Sequence, residues 1–371
     1  MPEHLVFVAG FAAGARGSID AYRLDASSGR LELMHRNAGV ENVFFLALSP
    51  DQRYLFSIDV PGDFGTDPGY VIAWEILDGD GRLGRINRQS THGIGPCHIG
   101  VDPSGRCLVV ANYTTGSVAS MPIAADGSLG ELASSFRHDG ADHLGGDGAA
   151  SADHRATPHA HCAEVSPDGR FVFVCDLGLD QIRSYHLDAA LATLSPTEQQ
   201  YLSTPQGCGP RHFAFHPNGR NVYANNELAC SVGVYDYDSV RGHISARQTI
   251  SSLPREAGGD ASTADIEITP DGSFLYCTNR LHDSIAAYRV ADDGTLSLIE
   301  ISLALGSTAQ NLSMTDDGSM LICSNMDAFD DGHANLAVFR IDSASGKLMP
   351  VGAPVPAVNP ACSVIVDSSR S

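Results

Sequence analysis

Six times along this chain a short apolar run ends in a Pro-Asp-Gly-like turn and a second apolar run follows. The turns read Pro50-Asp51-Gln52-Arg53, Pro103-Ser104-Gly105-Arg106, Pro167-Asp168-Gly169-Arg170, Pro217-Asn218-Gly219-Arg220, Pro270-Asp271-Gly272-Ser273 and Asp316-Asp317-Gly318-Ser319. Turn residues between two short apolar runs specify a β-hairpin. Nine residues past each turn anchor stands Asp59, Asn112, Asp176, Asn226, Asn279 or Asn325. Six agreements in six mark one structural unit repeated, not six independent loops. A third strand follows every hairpin and also occurs once before the first, giving seven copies at 18–24, 70–76, 117–123, 181–187, 231–237, 284–290 and 335–341. Turn-like segments such as Asp126-Gly127-Ser128-Leu129 and Asp293-Gly294-Thr295-Leu296 then lead into a fourth strand.

A unit of four antiparallel strands recurring every 46 to 64 residues fits the blade of a β-propeller. The expected fold is all-β, with seven four-stranded blades. The N-terminus supplies strands near 5–9, 19–24 and 31–35 but no first strand, and the C-terminus supplies one strand at 361–366. The simplest closure puts that last strand innermost in the N-terminal blade, which removes two exposed edges. Helical periodicity is nearly absent, with room for a turn or two at 188–194. No linker divides the chain, so the reading is one propeller domain over 1–371. A six-bladed ring with a stray hairpin is the structural alternative.

A chain of 371 residues with a formal charge of −21 has the wrong sign for a nucleic-acid binder, because phosphate contacts need a basic face. No apolar run approaches a membrane span. Nine cysteines, an odd number with no Cys-x-x-Cys pair, point to a reducing compartment rather than a disulfide framework. Met1-Pro2-Glu3-His4 lacks a basic region followed by an apolar run, so no secretory leader is expected and the expected location is cytoplasmic. The longest irregular stretch, 137–158, holds His138, Asp139, Asp142, His143, Asp147, Asp153 and His154. Their spacing matches no metal-ligand pattern, and a solvated loop or an active-site lid is the expected role. Cys97, Cys162, Cys208 and Cys362, near the starts of inner strands, are expected to pack rather than react.

Chemistry is expected where the repeat loses its symmetry. One residue past the shared Asp/Asn the copies read Val60, Tyr113, Leu177, Glu227, Arg280 and Met326. Six before the anchor they read Phe44, Cys97, His161, Arg211, Ala264 and Gln310, and five before it Phe45, His98, Cys162, His212, Asp265 and Asn311. A hairpin brings its two ends together, so these positions form rings at one mouth of the central channel. That mouth would carry His98, His159, His161, Arg211, His212, Glu227, Asp265 and Arg280. A network of satisfied polar groups closing the channel would need such residues. Polar groups converging on a concave mouth also define a ligand pocket, and the whole set favours the pocket. Two arginines can hold a carboxylate or phosphate, and Glu227 and His161 can exchange protons near neutral pH. No Ser-His-Asp spacing is evident.

These residues resemble a known pattern. Gly95-Pro96-Cys97-His98, Pro158-His159-Ala160-His161 with Asp176-Leu177-Gly178, Gly209-Pro210-Arg211-His212 with Asn226-Glu227-Leu228, and Asn279-Arg280 with His282-Asp283-Ser284-Ile285 are similar to the lactonase family of seven-bladed propellers. That family contains propeller-type 6-phosphogluconolactonases and carboxy-cis,cis-muconate cyclases. The resemblance covers nearly the whole chain. It implies hydrolysis of a sugar lactone, most readily 6-phosphogluconolactone to 6-phosphogluconate, by general acid/base catalysis without metal or cofactor. His161, Arg211, Glu227 and Arg280 match the family's catalytic positions, with His98, His159, His212 and Asp265 expected to bind substrate. The chain departs from the family at Val43, Val60, Asp265 and Gln310, where a proline, a glutamate, a longer acid and an arginine are usual. The implied partner is an anionic sugar lactone, with no nucleic acid or membrane. A muconate-type lactonizing cyclase, a calcium-dependent lactonase and a non-catalytic sugar-acid-binding or scaffold propeller are the alternatives.

Overall fold

The computed structural model describes residues 3–139, 157–257, 260–327 and 332–366. Seven antiparallel sheets follow one another around a ring. The second blade, for example, runs Leu46–Leu48, Tyr54–Asp59, Pro68–Ile76 and Leu83–Ile94, and the fifth runs Pro210–Phe215, Asn221–Asn226, Ser231–Asp238 and His243–Ser251. The first blade takes its innermost strand, Pro360–Val366, from the far end of the chain and pairs it with Glu3–Gly10. The ring is seven-bladed and closes as the leftover C-terminal strand requires; the six-bladed alternative is excluded. In the segment 188–194, residues 189–192 form the turn between strands Gln181–Asp188 and Thr193–Ser203, not a helix. Among the described residues the one helical element is the short 3-10 turn Gly14–Arg16.

The six hairpin turns share one backbone, and five of them share a side-chain cap; in the fifth blade His216 stands in the cap position and Asn218 Oδ1 accepts the Asn221 N–H instead. The residue two past the anchor is left-handed, at φ of 70° for Gly105, 72° for Gly169, 67° for Gly219, 76° for Gly272 and 67° for Gly318. In the first turn Gln52 takes the same conformation at φ 58°, which accounts for the one copy that lacks glycine. Just before the anchor, Ser49, Asp102, Ser166, Thr269 and Thr315 accept hydrogen bonds from the backbone N–H that opens the returning strand. At the other end, the shared Asp/Asn ties strands together. Asp176 accepts the His159 N–H, Asn226 donates to Ser231 Oγ, and Asn279 donates to the Ser252 carbonyl. The six-fold identity at that position therefore serves the blade.

The core lies between blades as seven apolar clusters. Strand alternation sends one face of each sheet toward each neighbour, so every blade except at its rims is apolar on both faces. Phe173 of the fourth blade stacks on Phe213 of the fifth, with ring centroids 5.1 Å apart. Tyr276 donates its hydroxyl to the Gly346 carbonyl of the next blade. All nine cysteines are buried free thiols.

Phe173 is fully buried at one such seam. Replacing it with alanine is expected to cost about 3–5 kcal/mol, since the surrounding blades cannot collapse onto the void. Chemical denaturation of the variant against the parent measures that loss.

Candidate active site

All inner strands run in the same direction, so their first residues meet at one mouth. A local irregularity decides which side chains reach it. In the third, fourth and seventh blades the register shifts by one residue at the top of the inner strand, between Pro96 and His98, Ala160 and Cys162, and Ala309 and Asn311. In the fifth and sixth it shifts between Pro210 and Phe213 and between Thr263 and Ile266. Each shift is a β-bulge, which places an extra residue in the strand and re-aims its neighbours. Cys97, His161, Arg211, Ala264 and Gln310 fall in these bulges. Two consecutive residues per blade, which strict alternation would send to opposite faces, thereby come into play at the channel. Nearby side chains satisfy the disturbed backbone: Asn225 Oδ1 accepts the His212 N–H at 2.9 Å, and Thr278 Oγ1 accepts that of Asp265 at 2.8 Å.

The expected catalytic residues converge. Glu227 lies between two arginines, with Oε2 2.9 Å from Arg211 Nε and Oε1 2.6 Å from Arg280 Nη2. Arg211 is 1% exposed, whereas Glu227 at 17% and Arg280 at 20% reach the open mouth. Arg280 is further held by Ser262 Oγ at 3.2 Å. Beside them His161 packs edge-on against His212 at 5.4 Å and Tyr113 at 5.4 Å. Burial, then the charges of Arg211, His212 and Arg280, push the His161 pKa well below its ordinary value of 6.5. His161 is therefore a neutral imidazole at physiological pH. Cys97 Sγ lies 3.9 Å from its Nδ1, but burial drives that thiol up, so Cys97 is no nucleophile.

His159 sits at the rim. Its ring stacks on Tyr113 at 4.4 Å, with Nδ1 3.1 Å from the Tyr113 carbonyl and Nε2 3.1 Å from Thr157 Oγ1. His98, His212 and Asp265 lie one level deeper, in a tier that all seven blades contribute to. Ser363 N–H donates to Asn311 Oδ1, and Asn311 Nδ2 donates to Asp265 Oδ2. Asp265 Oδ1 is 2.7 Å from His212 Nδ1. His98 is 5.3 Å from the His212 ring, 4.3 Å from Phe45, and 3.8 Å through Nε2 from Cys162 Sγ. This tier floors the mouth. Beneath it a cavity of about 440 Å³ is lined by Phe45, Glu267, Asn311, Met314 and Ser363. Glu164 and Glu267 occupy this lower level. Burial and the charge of Asp265 push Glu164 up to about 8, and burial, Asp265 and Glu164 push Glu267 well above the usual carboxylate range.

His98, Cys162 and Glu164 place three donor atoms within 4.8 Å of one another, the spacing of a metal centre. However, His98 Nδ1 accepts the Ala163 N–H at 3.4 Å, so that ring nitrogen is already engaged by the backbone. Nε2 lies 3.8 Å from Glu164 Oε2 and 3.8 Å from Cys162 Sγ, too far for a hydrogen bond to the carboxylate. Of the 137–158 stretch, 140–156 lies outside the described residues. His138, at its start, is buried with Nδ1 2.5 Å from Asp176 Oδ2 and belongs to the blade. Tyr113 was not among the residues expected in the site, although it occupies the same ring position as Glu227 and Arg280. Its strand-end place was the available signal, and its aromatic type hid it among apolar neighbours.

The fold and this mouth define a seven-bladed propeller with an asymmetric polar site. The family model for "Lactonase, 7-bladed beta-propeller" matches residues 5–365, and the chain belongs to that family. It is 28% identical over 363 residues to a 6-phosphogluconolactonase of Bacillus subtilis, covering 98% of both chains. It is 30% identical over 348 residues to a 6-phosphogluconolactonase of Formosa agariphila, covering 92% of this chain and 94% of the other. Among solved structures it is similar to the periplasmic gluconolactonase PpgL of Pseudomonas aeruginosa, with a TM-score of 0.88, 26% identity, and coverage of 98% and 99%.

Removing the shared carboxylate leaves Arg211 buried without its counter-charge. Glu227→Ala is expected to cost about 3–5 kcal/mol of stability, as broken buried ion pairs do. Glu227→Gln, which keeps the shape, is expected to cost less. Thermal denaturation of both variants checks the order.

Proposed function

We propose that this protein hydrolyses a sugar lactone to its open-chain acid, with 6-phosphogluconolactone the first substrate to test, and that the reaction needs no metal. The observation that carries the reading is the Arg211–Glu227–Arg280 cluster beside a neutral His161 at the mouth of a lactonase-family propeller. The names of the relatives point to the same ester class.

Lactone hydrolysis needs a base for water, charge to stabilise the tetrahedral oxyanion, and a proton for the departing ring oxygen. His161 supplies the base, because its pKa is held down and its lone pair is available. The water oxygen bonds to the carbonyl carbon, and its proton passes to His161. The carbon–ring-oxygen bond then breaks, and the imidazolium returns the proton to the alkoxide. Arg280, the more open of the two arginines, with Arg211 behind it, faces the oxyanion and the anionic group of the substrate. Glu227, with a guanidinium on each oxygen, holds both cations in place and keeps them from repelling one another. His159, stacked on Tyr113, borders the substrate.

The test is hydrolysis of freshly made 6-phosphogluconolactone, followed by proton release above the spontaneous rate, with EDTA present. EDTA is expected to leave the rate unchanged; a chelator-sensitive rate would overturn the metal-free route. Arg280→Ala is expected to lower kcat about 10²- to 10³-fold, the effect of losing one oxyanion donor. His161→Gln is expected to lower it about 10²- to 10⁴-fold, and a fully active variant would remove His161 as the base. No turnover of this lactone or of unphosphorylated sugar lactones would sink the reading.

The pH profile follows from the sign of the His161 shift. The base form is complete above its lowered pKa and is lost only as pH falls through it. An unshifted histidine would be half protonated at pH 6.5. Here kcat/KM at pH 6.5 is expected to stand on its plateau, with the acid limb well below that pH.

A further inference from the structure

Asp265 receives four hydrogen-bond donors. Ile266 N–H at 2.9 Å and His212 Nδ1 at 2.7 Å approach Oδ1, while Asn311 Nδ2 at 2.6 Å and Leu312 N–H at 2.8 Å approach Oδ2. Burial opposes ionisation, but two backbone N–H groups and the Asn311 amide, which can only donate here, together with His212 favour the carboxylate, and the carboxyl is held below its ordinary range. An ionised carboxylate only accepts, so the proton shared with His212 belongs to Nδ1. Arg211 Nη1, which can only donate, faces the other ring nitrogen, and burial, then the charge of Arg211, pushes His212 below its ordinary value, so the ring carries a single proton. Its Nε2 is then a bare lone pair.

That lone pair lies 3.1 Å from Arg211 Nη1. The second hydrogen of Nη1 goes to the Ala264 carbonyl, and Nε lies against Glu227. Both hydrogens of Nη1 therefore meet fixed acceptors, which set the plane of the guanidinium, and the Glu227 carboxylate adds charge beside Nε. In the opposite tautomer an N–H would meet an N–H between His212 and Arg211, and the guanidinium would have to move.

We infer that Asp265 and His212 are positioning residues rather than substrate contacts: Asp265 fixes the His212 tautomer, and His212 Nε2 fixes the pose of Arg211. Neither touches substrate in this arrangement. His212 is buried with both nitrogens occupied, and Asp265 is buried with both oxygens occupied. Misplacing an oxyanion donor by a fraction of an ångström affects the transition state more than ground-state binding. The kinetic signature therefore lies in kcat. The kinetic arm of the test rests on the lactonase reading; the spectroscopic arm does not.

The experiment uses the full chain labelled with ¹⁵N at its 15 histidines. Long-range proton–nitrogen spectra report each tautomer, and the signal missing from His212→Gln assigns His212. In the parent protein His212 is expected as the Nδ1–H form, and in Asp265→Asn that form is expected to be lost or mixed. With 6-phosphogluconolactone, Asp265→Asn is expected to lower kcat about 10- to 100-fold with KM changed less than about 3-fold, the usual scale of an outer-shell positioning loss. His212→Gln places an amide oxygen near the Nε2 position and is expected to retain more activity than His212→Leu, which a purely space-filling role would not predict. An Nε2–H form in the parent protein would overturn the inference, as would full activity in His212→Leu. If no variant folds, the His212 ring signal is assigned in the uniformly labelled parent by correlation to its own backbone, and that spectrum decides. If the parent turns over no lactone, the proposed activity fails while the spectrum still tests the relay.

Discussion

The pairing of the two chain ends is the constraint on which the rest of the molecule depends. Strand Pro360–Val366 lies against Glu3–Gly10, so the first blade is complete only when both ends of the chain are in place. A row of unpaired N–H and C=O groups at that edge would otherwise face water or another chain. Closure also sets the curvature of the ring and thus the distance across the mouth. The tier beneath the site shows this dependence directly, because Ser363 of the closing strand holds Asn311, which in turn holds Asp265. A contact made by the last strand of the chain is three hydrogen bonds from Arg211.

Within that ring, a repeated unit has been made to carry a single site. The blades keep their turns, their caps and their shared Asp/Asn, which are backbone devices. Charged residues enter the mouth at the inner-strand bulge and at the residue after the second strand. At those places the fifth and sixth blades present Arg211, Glu227 and Arg280, where the second presents Phe44 and Val60. Phe44 packs edge-on against Phe11 at 5.6 Å, so the far side of the mouth is aromatic where the near side is charged. The strongly negative chain thus concentrates two cations at one point, with one carboxylate to keep them together.

Much of this was legible in the sequence because it was repeated. Turn chemistry and nine-residue spacing mark hairpins, and a strand without a partner at each end marks closure. The proximity of Arg211 to Glu227 follows from hairpin geometry alone. The division of labour within the mouth was not legible. Arg211 and His212 are consecutive, and simple alternation would place them on opposite faces; the bulge that changes this is an event between two strands. Its residues in the different blades, among them Cys97, His161, Arg211, Ala264 and Gln310, share no chemical type. Burial depth was equally hidden. Asp265 and His212 look like any polar pair at a mouth until the donors from Leu312 and Asn311, a blade away, are seen to occupy the carboxylate.

The floor formed by Phe45, His98 and His212 makes the site a cup rather than a tube. A cup has one opening. On the proposed reading, a lactone that enters past His159 and Arg280 leaves the same way, and the acid produced by ring opening departs through the doorway that the next substrate is approaching. Traffic at that doorway would then be one-at-a-time, and the arginines proposed to draw substrate inward would also delay the exit of its product.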